Sequence, residues 1–370
     1  MKEKKTLIGI TGNIATGKSV VRRMLANAGA LGLDADVISH RMIYPSGPAH
    51  QDVVDAFGER ILTENNEISR TKLGEIVFKD PEQLAKLEAI IHPLVTDAIQ
   101  QRMDKAQTHL IALEAIKLLE AGLGKICDAV WVSHAPRQIQ LERLLQTRNL
   151  TEDEALNRIK AQPPQEEKHE KAQVVICTNG PFQETWKQVL DALNDTIHTR
   201  DLKTAPLLSL SGAYTGQSRH ALPFEKLLDF WDAHSGERTS GLYESLGLRM
   251  IQPLTSTERI RALILWKEWN FTATMTRVIP GDALLSDFAI VMDAFIAAAQ
   301  RQGCELLLLP NILAQQINLK PGGFGFEPKK PPDLPYPAWR YAAQTLSSGE
   351  RVWAQILAQP LEAKGDFQLK

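Results

Sequence analysis

The chain has 370 residues, of which 44% are hydrophobic and 23% charged, and its formal net charge is −2. This length favours two domains over one, and the small net charge excludes a general attraction to nucleic acid or to an anionic membrane. Three widely separated cysteines (Cys127, Cys177 and Cys304) argue against a disulfide framework and predict a cytoplasmic protein. No stretch reaches the roughly 18 apolar residues of a membrane span, so we expect neither a membrane nor a nucleic acid as partner.

The first half of the chain, to about residue 198, alternates short apolar runs with longer amphipathic ones. Buried strands are predicted at 7–10, 30–33, 110–113, 129–132 and 174–176. Helices are predicted between them, for example at 20–28 and 82–105. This alternation predicts an α/β fold, in which helices flank a parallel sheet.

Residues 12–19 read Gly-Asn-Ile-Ala-Thr-Gly-Lys-Ser and match the phosphate-loop pattern G-x-x-x-x-G-K-[ST] between a predicted strand and a predicted helix. Backbone N–H groups of such a loop bind phosphate. The Lys18 ammonium is expected to reach the β- and γ-phosphates of ATP, and the Ser19 hydroxyl to hold Mg²⁺. The predicted ATP-binding residues are Gly12, Asn13, Ile14, Ala15, Thr16, Gly17, Lys18, Ser19 and Val20.

Two carboxylates, Asp34 and Asp36, follow the second predicted strand. Ligands of open α/β sheets bind at this edge of the sheet. One carboxylate there can accept a hydroxyl proton during phosphoryl transfer, whereas the other can cap the following helix. The residue types alone leave open which aspartate does which.

An ordered series of motifs resembles the dephospho-coenzyme A kinases. It comprises residues 9–19, 34–36, 91–94 and 118–123, followed by lid-like segments within 140–168, and the match covers about residues 6–195. The resemblance implies a P-loop fold with helical substrate and lid insertions. It also implies ATP-dependent phosphorylation of the ribose 3′-hydroxyl of dephospho-coenzyme A, with Mg²⁺ as cofactor.

The same resemblance assigns roles to individual residues. Asp36 corresponds to the catalytic base and Asp34 to its companion, and both are assigned to substrate binding. His92 and Pro93 are assigned to substrate binding as well, because they fall in a helical segment that binds the coenzyme A precursor. In the lid, Arg143 and Arg148 are the candidates for neutralising charge on the transferring phosphoryl group.

Three positions depart from the family pattern. Glu114-Ala115-Ile116 stands where the family has Asp-Val-Pro, and we expect Glu114 to orient the magnesium together with Ser19. Thr147 replaces a lid arginine, with Arg148 one position later. The segment 176–180 reads Ile-Cys-Thr-Asn-Gly instead of Ile-Asp-Asn-Ser-Gly, near the expected adenine position.

The second half carries no comparably specific motif. Small and polar residues predict a linker at 199–222, which separates a kinase-like domain (1–198) from an α+β domain (223–370) of unknown role. A strand at 270–279, a long helix at 283–302 and a strand at 305–309 faintly resemble the core of GNAT-type N-acetyltransferases. A further long helix is predicted at 338–357.

Three alternatives to this kinase remain open. One is a kinase for another nucleoside or nucleotide. Another is a regulatory protein that binds a nucleotide or a coenzyme A precursor. The third is a bifunctional protein whose second half is a coenzyme A-dependent acyltransferase.

Overall fold

The computed structural model describes residues 5–148, 150–198, 224–256, 259–281, 289–316, 321–347 and 351–358. These residues form two compact units. One comprises Met1–Leu33 and Ala106–Leu357, and the other is built on Asp34–Lys105. The predicted linker at 199–222 lies outside the described residues, and the predicted domain boundaries stay a prediction.

The first half builds a five-stranded sheet in the order β2-β3-β1-β4-β5. Its strands are β1 (Thr6–Thr11), β2 (Leu31–Asp34), β3 (Leu110–Glu114), β4 (Ala129–His134) and β5 (Val174–Cys177). The central strand β1, buried along its whole length, pairs in parallel with β3 and with β4. The chain leaves β1 for β2 on one side and later enters β4 on the other, so the carboxyl end of β1 is a topological switch point, where such sheets bind ligands.

Helices connect these strands, as the alternating pattern predicts. They are α1 (Lys18–Asn27), α2 (Ala35–Met42), α3 (His50–Phe57), α4 (Arg70–Val77), α5 (Pro81–Lys105), α6 (Arg137–Arg148), α7 (Glu152–Lys160), α8 (Glu166–His169) and α9 (Phe182–His198). In α1, Val21, Met24 and Leu25 are fully buried, the spacing of one helix face. The predicted α/β fold of the first half is confirmed.

The compact unit built on Asp34–Lys105, called the helical unit below, contains α2 to α5. Its long helix α5 contacts α2, α3 and α4. Apolar side chains on one face of each helix are buried there, among them Ile38, Val53, Leu73 and Ile99. This unit is a helical insertion between β2 and β3 of the parallel sheet.

The second half contributes a six-stranded sheet in the order β10-β11-β9-β8-β7-β6. Its strands are β6 (Met250–Ser256), β7 (Arg259–Trp269), β8 (Thr272–Pro280), β9 (Leu306–Leu309), β10 (Glu327–Lys329) and β11 (Val352–Ile356). Its helices are α10 (Phe224–His234), α11 (Thr239–Leu248), α12 (Ala289–Arg301), α13 (Asn311–Gln316) and α14 (Pro337–Ser347). β8 and β9 are parallel and joined through α12, whereas β6–β7, β7–β8, β9–β11 and β10–β11 are antiparallel.

Strand β7 is buried on both faces. Its residues Leu263 and Leu265 belong to an apolar cluster shared with β1, α1 and α9 of the first half. Its alternate residues Ile264 and Trp266 point the other way, into a cluster covered by α12. Because successive strand residues face opposite sides, one strand joins two cores, and the second half therefore packs directly against the parallel sheet's helices.

Sequence prediction was uneven in this second half. The order strand, helix, strand is confirmed by β8, α12 and β9, although residues 282–288 before α12 lie outside the described part. The predicted helix at 338–357 is wrong at Val352–Ile356, because these residues form β11 and pair with both β9 and β10. Strands β6 and β7 were not predicted.

Within the described residues, none of the helices combines the length and hydropathy needed to cross a bilayer.

Candidate active site

The phosphate-binding loop runs from the end of β1 to the first turn of α1. Gly17 caps α1 with a left-handed conformation (φ 88°), which glycine adopts without the penalty of a Cβ. Ala15 also has a positive φ of 58°, a conformation that costs on the order of 1–3 kcal/mol in a residue other than glycine unless its surroundings stabilise it. The loop is therefore held by contacts from elsewhere in the chain.

Hydroxyl groups from two other strands' ends brace this loop. The Thr16 hydroxyl donates to the Asn13 carbonyl at 2.8 Å and lies 2.7 Å from the Ser133 hydroxyl at the end of β4. The Thr178 hydroxyl, just after β5, donates to the Thr16 carbonyl at 2.8 Å. Sequence reasoning missed the bracing by Ser133 and Thr178, since no motif marks it.

The Lys18 side chain lies along the loop. Its Nζ donates to the carbonyls of Gly12 at 3.0 Å and Asn13 at 2.9 Å, and the residue is buried. Val20 follows in the first turn of α1, where its N–H donates to the Gly17 carbonyl. The ammonium is thus fixed beside the loop, where a phosphate bound to the backbone N–H groups would meet it.

Ser19 and Glu114, predicted to hold magnesium, lie side by side. The Ser19 hydroxyl donates to Glu114 Oε1 at 2.6 Å, and Glu114 ends β3 with only 5% exposure. Its other oxygen, Oε2, accepts from Arg22 Nε at 3.0 Å. Arg22 in turn donates through its Nη1 to Glu268 Oε2, also at 3.0 Å. Sequence reasoning missed Arg22 and Glu268, because the two are 246 residues apart and no motif includes either.

This oxygen pair fits Mg²⁺. A hydroxyl and a carboxylate are hard donors, and Mg²⁺ usually takes one or two carboxylates and completes its shell with water and substrate phosphates. Among the described residues, no group of three or more His, Cys, Asp or Glu side chains could hold a metal alone. One carboxylate and one hydroxyl suit a metal whose remaining ligands are water and substrate phosphates.

Arg143 of α6 reaches the loop from the lid side. Its Nη1 donates to the Ala15 carbonyl at 3.0 Å and to the Thr178 hydroxyl at 3.0 Å, and its Nη2 donates to the Thr178 carbonyl. Burial lowers the pKa of the guanidinium, but arginine keeps its charge in proteins. By contrast, Arg148 is exposed at the last position of α6.

The segment from α7 to α8 closes over the loop by two further hydrogen bonds. The Asn13 amide donates to the Pro163 carbonyl at 2.7 Å, and the Ile14 N–H donates to Gln162 Oε1 at 2.6 Å. Helix α7 begins with a capping box of Thr151 and Glu154, which fixes its start. Through Gln162, the lid thus occupies the Ile14 N–H, a loop group of the kind that binds phosphate.

In the helical unit, Asp34 is the N-cap of α2. Its Oδ1 accepts from the N–H groups of Asp36 and Val37, each at 3.0 Å. Asp34 is therefore the aspartate that supports the turn, and Asp36 lies half-buried in the first turn of α2. His92, half-buried, and Pro93, exposed, lie within α5, which continues through the proline.

Comparison with known proteins identifies the first half. A family model described as dephospho-CoA kinase matches residues 6–184. The dephospho-CoA kinase of Carboxydothermus hydrogenoformans is 42% identical over 190 residues, which are 50% of this chain and 92% of that protein. A solved structure of the dephospho-CoA kinase from Campylobacter jejuni covers 53% of this chain and 99% of its own, with 25% identity and a TM-score of 0.40.

A further solved structure shows a much weaker likeness. The ribosomal-protein-S18-alanine N-acetyltransferase structure from Escherichia coli covers 42% of this chain and 97% of its own, with 11% identity and a TM-score of 0.26. A likeness at this level assigns neither fold nor activity. The resemblance of the second half to N-acetyltransferases stays a prediction.

The parallel sheet, the loop after its central strand and the lysine fixed beside that loop define a P-loop kinase. The identity of 42% across nearly the whole length of a relative narrows this class further. The chain belongs to the dephospho-CoA kinase family.

Proposed function

We propose that this protein transfers the γ-phosphoryl group of ATP to the ribose 3′-hydroxyl of dephospho-coenzyme A and so completes coenzyme A. The observation that carries the proposal is the loop at the end of β1 with the Ser19–Glu114 pair beside it, in a chain of this family. ATP and dephospho-coenzyme A are the proposed substrates, and Mg²⁺ accompanies the nucleotide.

In the proposed reaction the loop binds the phosphates of ATP. Its N–H groups and Lys18 would hold the β- and γ-phosphates. Ser19 and Glu114 would hold Mg²⁺, which would supply neutralisation of the phosphate charge. Arg143 already bonds to the loop at Ala15, so a short shift of its guanidinium from the Ala15 and Thr178 oxygens would stabilise charge on the transferring group.

The acceptor side uses the helical unit. Asp36 accepts the proton of the 3′-hydroxyl as its oxygen bonds to the γ-phosphorus, and the bond from that phosphorus to ADP breaks. Asp34 supports this position as the N-cap of α2. His92 and Pro93 belong to the segment proposed to bind the coenzyme A precursor. Arg148 is proposed as a second lid cation that acts after lid closure.

The proposal includes a cytoplasmic location, which three free cysteines support. The proposed phosphoryl transfer is assigned to residues of the first half alone.

Product analysis tests the reaction. The purified protein is incubated with ATP, Mg²⁺ and dephospho-coenzyme A, and with adenosine or AMP as alternative acceptors. We expect one ADP per coenzyme A formed, with a 3′-phosphomonoester identified by ³¹P NMR, and no product from the alternative acceptors. Phosphorylation of adenosine or AMP alone would assign a different kinase activity. ATP binding without any product would favour the regulatory protein instead.

A further inference from the structure

The outer face of α1, the helix that follows the phosphate loop, is bonded to the second half of the chain. Arg23 Nη1 donates to the Gly247 carbonyl at 2.7 Å. The Asn27 amide donates to the Leu246 and Arg249 carbonyls at 2.9 and 2.8 Å, and its Oδ1 accepts from the Ile251 N–H at 2.9 Å. These bonds fix the helix at its far end.

A different contact reaches the other end of α1, close to the loop. Glu268, near the end of β7, pairs with Arg22, and Arg22 pairs with Glu114. The side chains are 14%, 8% and 6% exposed, respectively. An uninterrupted chain of hydrogen bonds therefore runs from the second sheet through Arg22 and Glu114 to the Ser19 hydroxyl.

We infer that Glu268 is a positioning residue for the magnesium-binding pair, and that it acts through Arg22 on Glu114. The inference rests on the proposed function, because it takes Ser19 and Glu114 as the groups that meet the nucleotide's metal. It gives the second half a role in nucleotide binding that requires no contact with the nucleotide.

The physical reason is that the guanidinium of Arg22 pairs with two carboxylates, those of Glu114 and Glu268. Arg22 donates through Nη1 to Glu268 and through Nε to Oε2 of Glu114, while Oε1 of Glu114 accepts from Ser19. Without the charge of Glu268, a guanidinium prefers a bidentate pair with the remaining carboxylate. Such a pair would draw both oxygens of Glu114 away from Ser19 and neutralise the charge that attracts Mg²⁺.

The test is the linkage between Mg²⁺ and ATP, measured by calorimetry on the full chain without dephospho-coenzyme A. We expect Glu268→Gln to bind metal-free ATP as tightly as the wild type does. The strengthening of ATP binding by Mg²⁺ should fall about tenfold, which corresponds to about 1.4 kcal/mol. Unchanged linkage in Glu268→Gln, or no linkage in the wild type, would overturn the inference.

Glu237→Gln is the matched control. Glu237 pairs with Arg277 in the second half at 2.5 Å. Within the described part of the chain, the hydrogen bonds of this pair stay in the second half and do not reach α1. The control should keep wild-type linkage. A similar loss in Glu237→Gln would mean that any weakened ion pair in the second half disturbs the site, and the specific role of Glu268 would be wrong.

A double-mutant cycle tests the route through Arg22. In an Arg22→Met background, Glu268→Gln should change the linkage less than about twofold, since the residue through which it acts is gone. A tenfold effect in that background would contradict the route. If Glu268→Gln does not fold, Glu268→Asp, which keeps the charge with a shorter reach, should show an intermediate loss, and wild-type linkage would contradict the inference.

The proposed function fails in a different way from this inference. Failure of the function appears as absence of coenzyme A in the wild-type product analysis. Failure of the inference appears in the Mg²⁺–ATP titration of the variants, to which turnover contributes nothing.

Discussion

The phosphate loop and the helix behind it are held by different parts of the chain. Loop residues bond to Ser133, Gln162 and Thr178, all in the first half. The outer face of α1 bonds instead to α11, β6 and β7 of the second half. The relatives that establish the family match only about half of this chain. A family match thus accounts for the loop, whereas the placement of its helix in this protein also depends on sequence that the match does not include.

The largest effect is expected on the loop side of this comparison. Lys18→Ala should lower kcat by about 10³-fold or more, because the ammonium is the loop's cation for the transferring phosphate. Its Nζ donates to the loop carbonyls of Gly12 and Asn13, contacts within the loop itself, so the free energy of unfolding should change much less than kcat. Steady-state kinetics and urea unfolding measure the two quantities. Lys187→Ala, on the exposed face of α9, is the control, and an equal loss there would contradict the assignment.

The two lid arginines, Arg143 and Arg148, test which cation acts at the phosphate loop. Arg143→Ala should lower kcat by about 10²-fold, since it removes both a cation and the hydrogen bond that stabilises the left-handed Ala15. Arg148→Ala, which removes an exposed side chain at the end of α6, should cost less than about tenfold. The kcat values of the two variants at saturating ATP decide between them. A larger loss for Arg148→Ala would make it the acting arginine.

A substitution in α11 tests the packing of α1 against the second half of the chain. Gly247→Ala would place a Cβ 2.5 Å from the Phe182 ring and 3.2 Å from Val20, so α11 could no longer approach α9 and α1 this closely. The free energy of unfolding should fall by about 2 kcal/mol. Gly322→Ala, where a Cβ meets nothing within 4 Å, should leave it nearly unchanged. Equal stability of the two variants in denaturant titrations would show that the halves do not pack as described.

The smallest effect belongs to the helical unit. Burial, and then the charge of Arg70, lower the pKa of His40 from 6.5 to about 4. Below pH 6.5, His40 is protonated in the unfolded chain but stays neutral in the folded one. The free energy of unfolding should therefore fall as the pH drops from 6.5 towards 4. His40→Asn should remove on the order of 1–2 kcal/mol of the loss between pH 7.5 and 5.

Unfolding titrations at several pH values measure this difference. Gly247→Ala lies outside the helical unit and should keep the wild-type pH dependence, which separates a titrating group from a packing defect. A His40→Asn variant with the wild-type slope would show that another group is responsible.

The sequence predicted most of what a local pattern can encode. Residues 12–19 predicted the phosphate loop together with the strand before it and the helix after it. What it missed depends on contacts between distant residues, such as Thr178 with Thr16 and Glu268 with Arg22. The error at 338–357 has a similar cause. Val352–Ile356 become a strand because β9 and β10 pair with them, and tertiary pairing overrides local preference.

The central claim is that this chain is a kinase in which Asp36 takes the proton of the acceptor hydroxyl. The most direct test compares wild type and Asp36→Asn in ATP- and Mg²⁺-dependent formation of coenzyme A, with ATP affinity measured alongside. We expect turnover in the wild type, a loss of about 10³-fold or more in kcat for the variant, and equal ATP affinity. Wild-type turnover by Asp36→Asn would contradict the proposed base, and a wild type that binds ATP but forms no coenzyme A would contradict the kinase itself.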